Sequence, residues 1–226
     1  MKNSGFGQAS GTHSRGREAP PFPVRRWLGR ALLASAMMIA ANAAWLPAKA
    51  ALAQQLLHSS WQSAQADGGV HRPWPWADTH AVARLLQPRL GVSQVVLAGD
   101  SGRPLAFGPG WAEASAAPGS ATGTTIISGH RDTHFAWLRE LRRGDALTLE
   151  TPQGPREFTV AAMQVVDSRT HRIATGDDLG QLVLVTCWPF DAVAPRGPMR
   201  YVVTLAPTSI VGGTSVPMAL RERHRD

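Results

Sequence analysis

The chain has 226 residues, 43% of them hydrophobic and 17% charged, with a formal net charge of +7 and one cysteine. Less an apolar leader and a tail, that length leaves room for one compact domain of ~130 to 150 residues, and the composition excludes disorder throughout. The lone thiol excludes an internal disulfide. The basic balance does not describe a nucleic-acid surface, because Lys2, Arg15, Arg17, Arg25, Arg26 and Arg30 all precede the first apolar run.

Residues 1–30 therefore form a basic N-terminus, expected in the cytoplasm, and 31–50 a signal anchor or signal peptide. The apolar stretch 31–46 falls between the ~7 to 15 residues of a signal-peptide core and the ~17 to 25 of a membrane span. Ala48-Lys49-Ala50 fits a small-x-small cleavage site, whereas Arg30 and Lys49 can snorkel and let the same stretch span the bilayer. Basic residues ahead of the span place everything after it outside. An unpaired thiol in that oxidising space is a working residue rather than a staple.

Residues 51–73 are expected to be a helical stalk and linker. Leu52, Leu56, Leu57 and Trp61 recur at helical spacing, and Asp67-Gly68-Gly69 ends the helix. Arg72-Pro73-Trp74-Pro75-Trp76 is extended, since each proline disfavours a helical residue before it. Its tryptophans either fold onto the domain or border a groove or membrane. From there short strands separated by turn residues are expected over 82–86, 94–97, 124–128, 146–150, 157–166, 182–186 and 199–205, with short helices over 103–107 and 135–141. Phe135, Leu138 and Leu141 share one face of the second helix. This pattern is that of a mainly β barrel spanning 74–207, followed by a flexible tail over 208–226.

Three apolar runs end or begin on chemistry. Leu182-Val183-Leu184-Val185-Thr186 leads into Cys187, Thr124-Thr125-Ile126-Ile127-Ser128-Gly129 into His130, and Arg200 opens Tyr201-Val202-Val203. Leu184-Val185-Thr186-Cys187 resembles the active-site strand of the sortases, which are membrane-anchored cysteine transpeptidases with a β-barrel fold. Ser128-Gly129-His130-Arg131-Asp132-Thr133-His134-Phe135 resembles the histidine segment of their class D-like and Gram-negative branches. The order His, Cys, Arg matches as well, with Arg200 thirteen positions after Cys187; Arg196 fits less well. Val183 stands where family members often have Thr.

The resemblance carried by these strand-end motifs implies a closed barrel of about eight strands. It also implies that Cys187 cleaves a C-terminal LPxTG-like sorting signal of a secreted protein, holds the acyl part as a thioester and passes it to an amine acceptor. His130 would then act as acid and base, and Arg200, whose fixed charge cannot serve as a base, would stabilise the oxyanion or hold the substrate. Thr186 and Trp188, flanking the thiol, are candidates for peptide binding, though Thr186 equally fits as a strand-end filler. Asp132 orients His130 or Arg131, or is a turn residue. His134 competes with His130 but fits a capping or packing role. The polar stretch 167–178 is the counterpart of the loop that walls the sortase substrate groove. No metal cofactor is expected: no His-Glu-x-x-His or Cys-x-x-Cys pattern occurs, and Asp177 and Asp178 are too little for the calcium that some sortases use. The implied place is the inner membrane, single-pass, with the catalytic domain on the periplasmic side. Two other readings stay open: a cysteine protease that lets water resolve the acyl-enzyme, and a membrane-anchored barrel that only binds.

Overall fold

The computed structural model describes residues 22–176, 180–192 and 197–208. Helix α1 (Phe22–Asp67) is unbroken over 46 residues and contains Pro47. It begins inside the basic segment, ahead of the apolar stretch, and continues through the expected stalk. The chain divides into two units, residues 1–50 and 51–226. In the first, the described side chains project outward, Leu32 at 71% and Met38 at 75% exposure, and the helix is long and apolar enough to cross a membrane. A signal sequence satisfies the same description.

In the second unit, α1 buries Leu57, Trp61 and Ala64 along one stripe, each at 1% exposure or less. Leu52, expected on that stripe, is 60% exposed. Trp74 packs edge-on against Phe107 with ring centroids 5.2 Å apart, whereas Trp76 stands 82% exposed.

Among the described residues eight strands close a barrel. They are β1 (Ala81–Gln87), β2 (Val92–Ala98), β3 (Gly110–Trp111), β4 (Thr124–Ser128), β5 (Ala146–Thr151), β6 (Gly154–Asp167), β7 (Gln181–Cys187) and β8 (Met199–Pro207). Their order around the barrel is β1-β2-β3-β4-β7-β8-β6-β5. The seven expected strands are all present, most of them one to three residues longer. β3 is an addition, two residues that pair in parallel with β2 and antiparallel with β4. A helix α2 (Pro104–Phe107) follows β2. The helix expected over 135–141 is a 3-10 turn, Ala136–Glu140, in which the i, i+3 spacing of Phe135, Leu138 and Leu141 aims all three into the core.

Alternation along β7 and β8 sorts their side chains. Leu182 and Leu184 with Val203 and Leu205 fill the barrel interior. Val183, Val185 and Cys187, paired with Thr204, Val202 and Arg200, therefore occupy the outer face.

Candidate functional site

Cys187 is the last residue of β7, and its antiparallel partner on β8 is Arg200. Directly opposed residues point to the same side of a sheet, so thiol and guanidinium share the outer face at one barrel end. β4 runs parallel to β7 with Ser128 level with Val185. His130 follows Ser128 by two residues, as Cys187 follows Val185. The Gly129 amide donates to Val185 O at 3.1 Å, and Thr186 Oγ1 donates to Gly129 O at 2.7 Å, so the register holds beyond the ladder. Position 129 then faces the core, and His130, the next residue, is exposed. A Cβ at Gly129 would lie 2.7 Å from the Phe135 ring, which explains the glycine. His130, Cys187 and Arg200 thus stand on three strand ends at one end of the barrel, exposed, half-buried and half-buried respectively.

Other expected residues take different places. Thr186 is 2% exposed and lies on the core side, where its hydroxyl is spent on Gly129 O. That bond supports the histidine turn and fits the strand-end role, the alternative to peptide binding expected for Thr186. Asp132 accepts from Arg131 Nε at 3.1 Å, so between the two partners considered for it the contact is with Arg131. Trp188 stacks on Tyr201 at 5.7 Å, and Phe190 sits edge-on to both, forming an aromatic plug over the barrel end beside the thiol. Burial raises the Tyr201 phenol pKa above its ordinary value. The Trp188-Pro189 bond is cis. His134 is half-buried; burial, reinforced by the His130 charge, pushes its pKa down against the opposing effect of its hydrogen bond to the Ala106 backbone. It packs rather than caps.

Arg131 was not foreseen. It is 6% exposed and donates from Nη1 to Pro189 O at 2.9 Å and from Nη2 to Ala192 O at 2.8 Å. Its only sequence signal is a charge wedged between His130 and Asp132.

A cavity of about 240 Å³ lies on the outer face, floored by Val183, Val202 and Thr204 and walled by His171 to Ala174 of the β6–β7 connection. Val202 is level with Val185, two residues before Cys187, and Val183 lies four before it, so the cavity floor spans ~7 to 13 Å from Cys187 along the strand. The base of the wall is fixed. Ser168 bonds Pro198 O through its amide at 2.9 Å and its hydroxyl at 2.7 Å. The Arg169 guanidinium and amide hold the Asp167 carboxyl at about 2. Asp177, Asp178 and Arg196 lie outside the described residues. Among the described residues no group of three His, Cys, Asp or Glu side chains is placed to hold a metal.

The family model described as the Sortase domain matches residues 86–208, which contain β2 to β8 and the whole cluster. The chain belongs to the sortase family. It is 31% identical over 117 residues to sortase D of Bacillus subtilis (strain 168), a match covering 51% of this chain and 58% of that protein. The chain thus spans less than two thirds of the curated sortase it matches. Among solved structures, a Clostridium perfringens sortase D5 transpeptidase superposes with TM-score 0.55 at 19% identity, over 70% of this chain and 99% of that one. Sortase A from Corynebacterium diphtheriae gives 0.54 at 22% identity, over 61% and 65%. These likenesses show the sortase barrel; the site rests on the geometry above.

Proposed function

We propose that this sortase is a cysteine transpeptidase in which Cys187 is the nucleophile, His130 the acid and base, and Arg200 the oxyanion donor. The observation that carries this is the strand register, which sets Arg200 opposite Cys187 on β8 and runs the end of β4 that leads into His130 alongside β7. A thiol of ordinary pKa ~8.5 is only a few per cent thiolate near neutrality, and a cation beside it raises that fraction. The thiolate adds to the scissile carbonyl, whose oxygen takes the negative charge and accepts from Arg200. The C–N bond breaks, the imidazolium of His130 gives its proton to the departing amine, and a thioester remains. An incoming amine then attacks, its proton passes to His130, the C–S bond breaks and the thiolate returns.

The walled cavity supports a donor bound in extended form. Its floor lies about two to four extended residues from Cys187, within reach of the Leu-Pro-x-Thr part of an LPxTG-like sorting signal. Trp188 keeps exposed surface beside the thiol and is the candidate contact for that peptide. The substrate is a secreted protein whose C-terminal signal continues into an apolar segment and a basic tail. Residues 31–50 act as a signal anchor in the inner membrane, leaving residues 1–30 in the cytoplasm. The stalk 51–73 and barrel 74–207 then lie on the periplasmic side. Placement in the Gram-negative branch draws support from the Ser128 to Phe135 segment.

Intact-mass spectrometry of the full chain in detergent, with a panel of Leu-Pro-x-Thr-Gly peptides, tests the proposal. An acyl adduct on Cys187 that hydroxylamine discharges is expected, with transfer outrunning hydrolysis once amine is added. Discharge at an amine-independent rate would make the enzyme a protease. No adduct from a folded protein with a titratable thiol would leave a barrel that binds.

A further inference from the structure

We infer that Arg131 is a positioning residue that sets the separation of the His130 imidazole and the Cys187 thiol, an inference resting on the catalytic reading above. The strand ladder between β4 and β7 ends at Ser128 and Val185. One amide bond and one hydroxyl bond, at Gly129 and Thr186, extend it by a single step. Past that step His130 lies beyond the end of β4, while Cys187 ends β7 and stays paired only with β8. Arg131 supplies the next tie. From the turn next to His130 it reaches across 58 and 61 residues of sequence to the carbonyls of Pro189 and Ala192, the segment that leaves Cys187.

The tie is rigid for three reasons. Two carbonyls are held by one planar fork, so the segments cannot slide or twist independently. The guanidinium is buried, with its side chain 7% exposed, which makes each of its bonds costly to break. The Asp132 carboxylate, 67% exposed, fixes Nε from the solvent side and so locks the plane. Asp132 therefore acts on the histidine through Arg131. Lysine would keep the charge, but its single ammonium cannot reproduce the fork.

The experiment compares wild type, Arg131→Lys and Asp132→Asn as full chains in detergent. It uses a quenched Leu-Pro-x-Thr-Gly peptide for kcat and KM, and iodoacetamide alkylation for the thiolate. A misplaced catalytic pair loses rate without losing binding, so kcat for acylation in Arg131→Lys is expected to fall roughly 10- to 100-fold with KM within about twofold. Alkylation at neutral pH is expected to slow roughly threefold or more as the imidazolium leaves the thiol. Asp132→Asn, at an exposed position, is expected to show a smaller loss of the same kind, and decides the matter if Arg131→Lys does not fold. A lower melting temperature with kcat and alkylation unchanged in both variants would reduce Arg131 to a structural tie and overturn the inference. If wild type acylates with no peptide, the transpeptidase proposal fails, while alkylation still decides whether Arg131 positions the pair.

Discussion

Arg200 faces Cys187 across the β7–β8 ladder, and its guanidinium is bound to backbone carbonyls. Nη1 donates to Gly197 O at 2.6 Å and to Met199 O at 2.9 Å. The backbone of Arg200 is thus fixed by register while its tip is parked on the approach to its own strand. A substrate oxyanion offers a charged acceptor in place of neutral carbonyls, so the exchange is favourable where charge develops. Arg200→Lys keeps the charge and loses the fork. Thioacyl formation, followed by rapid-quench mass spectrometry, is expected to slow ~100-fold, in line with loss of an oxyanion donor. A wild-type rate would remove Arg200 from the chemistry.

Thr186→Val leaves Gly129 O without its buried donor. The expected loss is about 1 to 3 kcal/mol in urea unfolding, with reduced turnover because the histidine turn is freed. Thr186→Ser, which keeps the hydroxyl, is expected to restore both. If valine proves as active as threonine, the turn is held some other way.

Gly129→Ala places a methyl 2.7 Å from atoms of the Phe135 ring. Either the ring or the histidine turn has to move, and overpacking of this kind costs about 1 to 3 kcal/mol. Both stability and acylation are expected to fall, with Phe135→Leu in the same chain recovering part of the acylation. Full activity of Gly129→Ala alone would mean that the turn yields freely.

His134 provides a pH signature. Burial, with the His130 charge, depresses its folded-state pKa below the ordinary imidazole value. The unfolded chain therefore binds the proton more readily, so stability is fully present above ~6.5 and is lost as pH falls below it toward the folded value. The melting temperature is expected to drop between about pH 7.5 and about pH 5.5, and to drop less in His134→Gln. His80, also depressed by burial, leaves a residual slope. Identical slopes in the two proteins would show that His134 is not a contributor.

The legible parts of the sequence were those buried on two sides or periodic along one. β7 reads as an unbroken apolar run because Leu182 and Leu184 face the core while Val183 lies under the β6–β7 connection. β3 could not be seen. Two residues show no alternation, and the strand forms through its backbone alone, with Gly110 so close to Gly99 that a Cβ would lie 2.1 Å from that residue's carbonyl oxygen. His130 and Cys187 stood out as polar ends of apolar runs, but their juxtaposition depends on parallel pairing of β4 with β7, a non-local contact that no spacing reveals. Arg131 escaped notice because its distant partners are backbone carbonyls, which any residue supplies. Thr186 stayed open between two roles because nothing in a strand-end threonine says which way its hydroxyl donates.

Helix α1 passes through Ala48-Lys49-Ala50 without interruption. On the anchor reading the enzyme is kept on its tether, and its reactions become those of a surface. Donor, enzyme and acceptor meet by lateral diffusion, their encounter is governed by molecules per unit area rather than per unit volume, and modest affinity for a sorting peptide suffices.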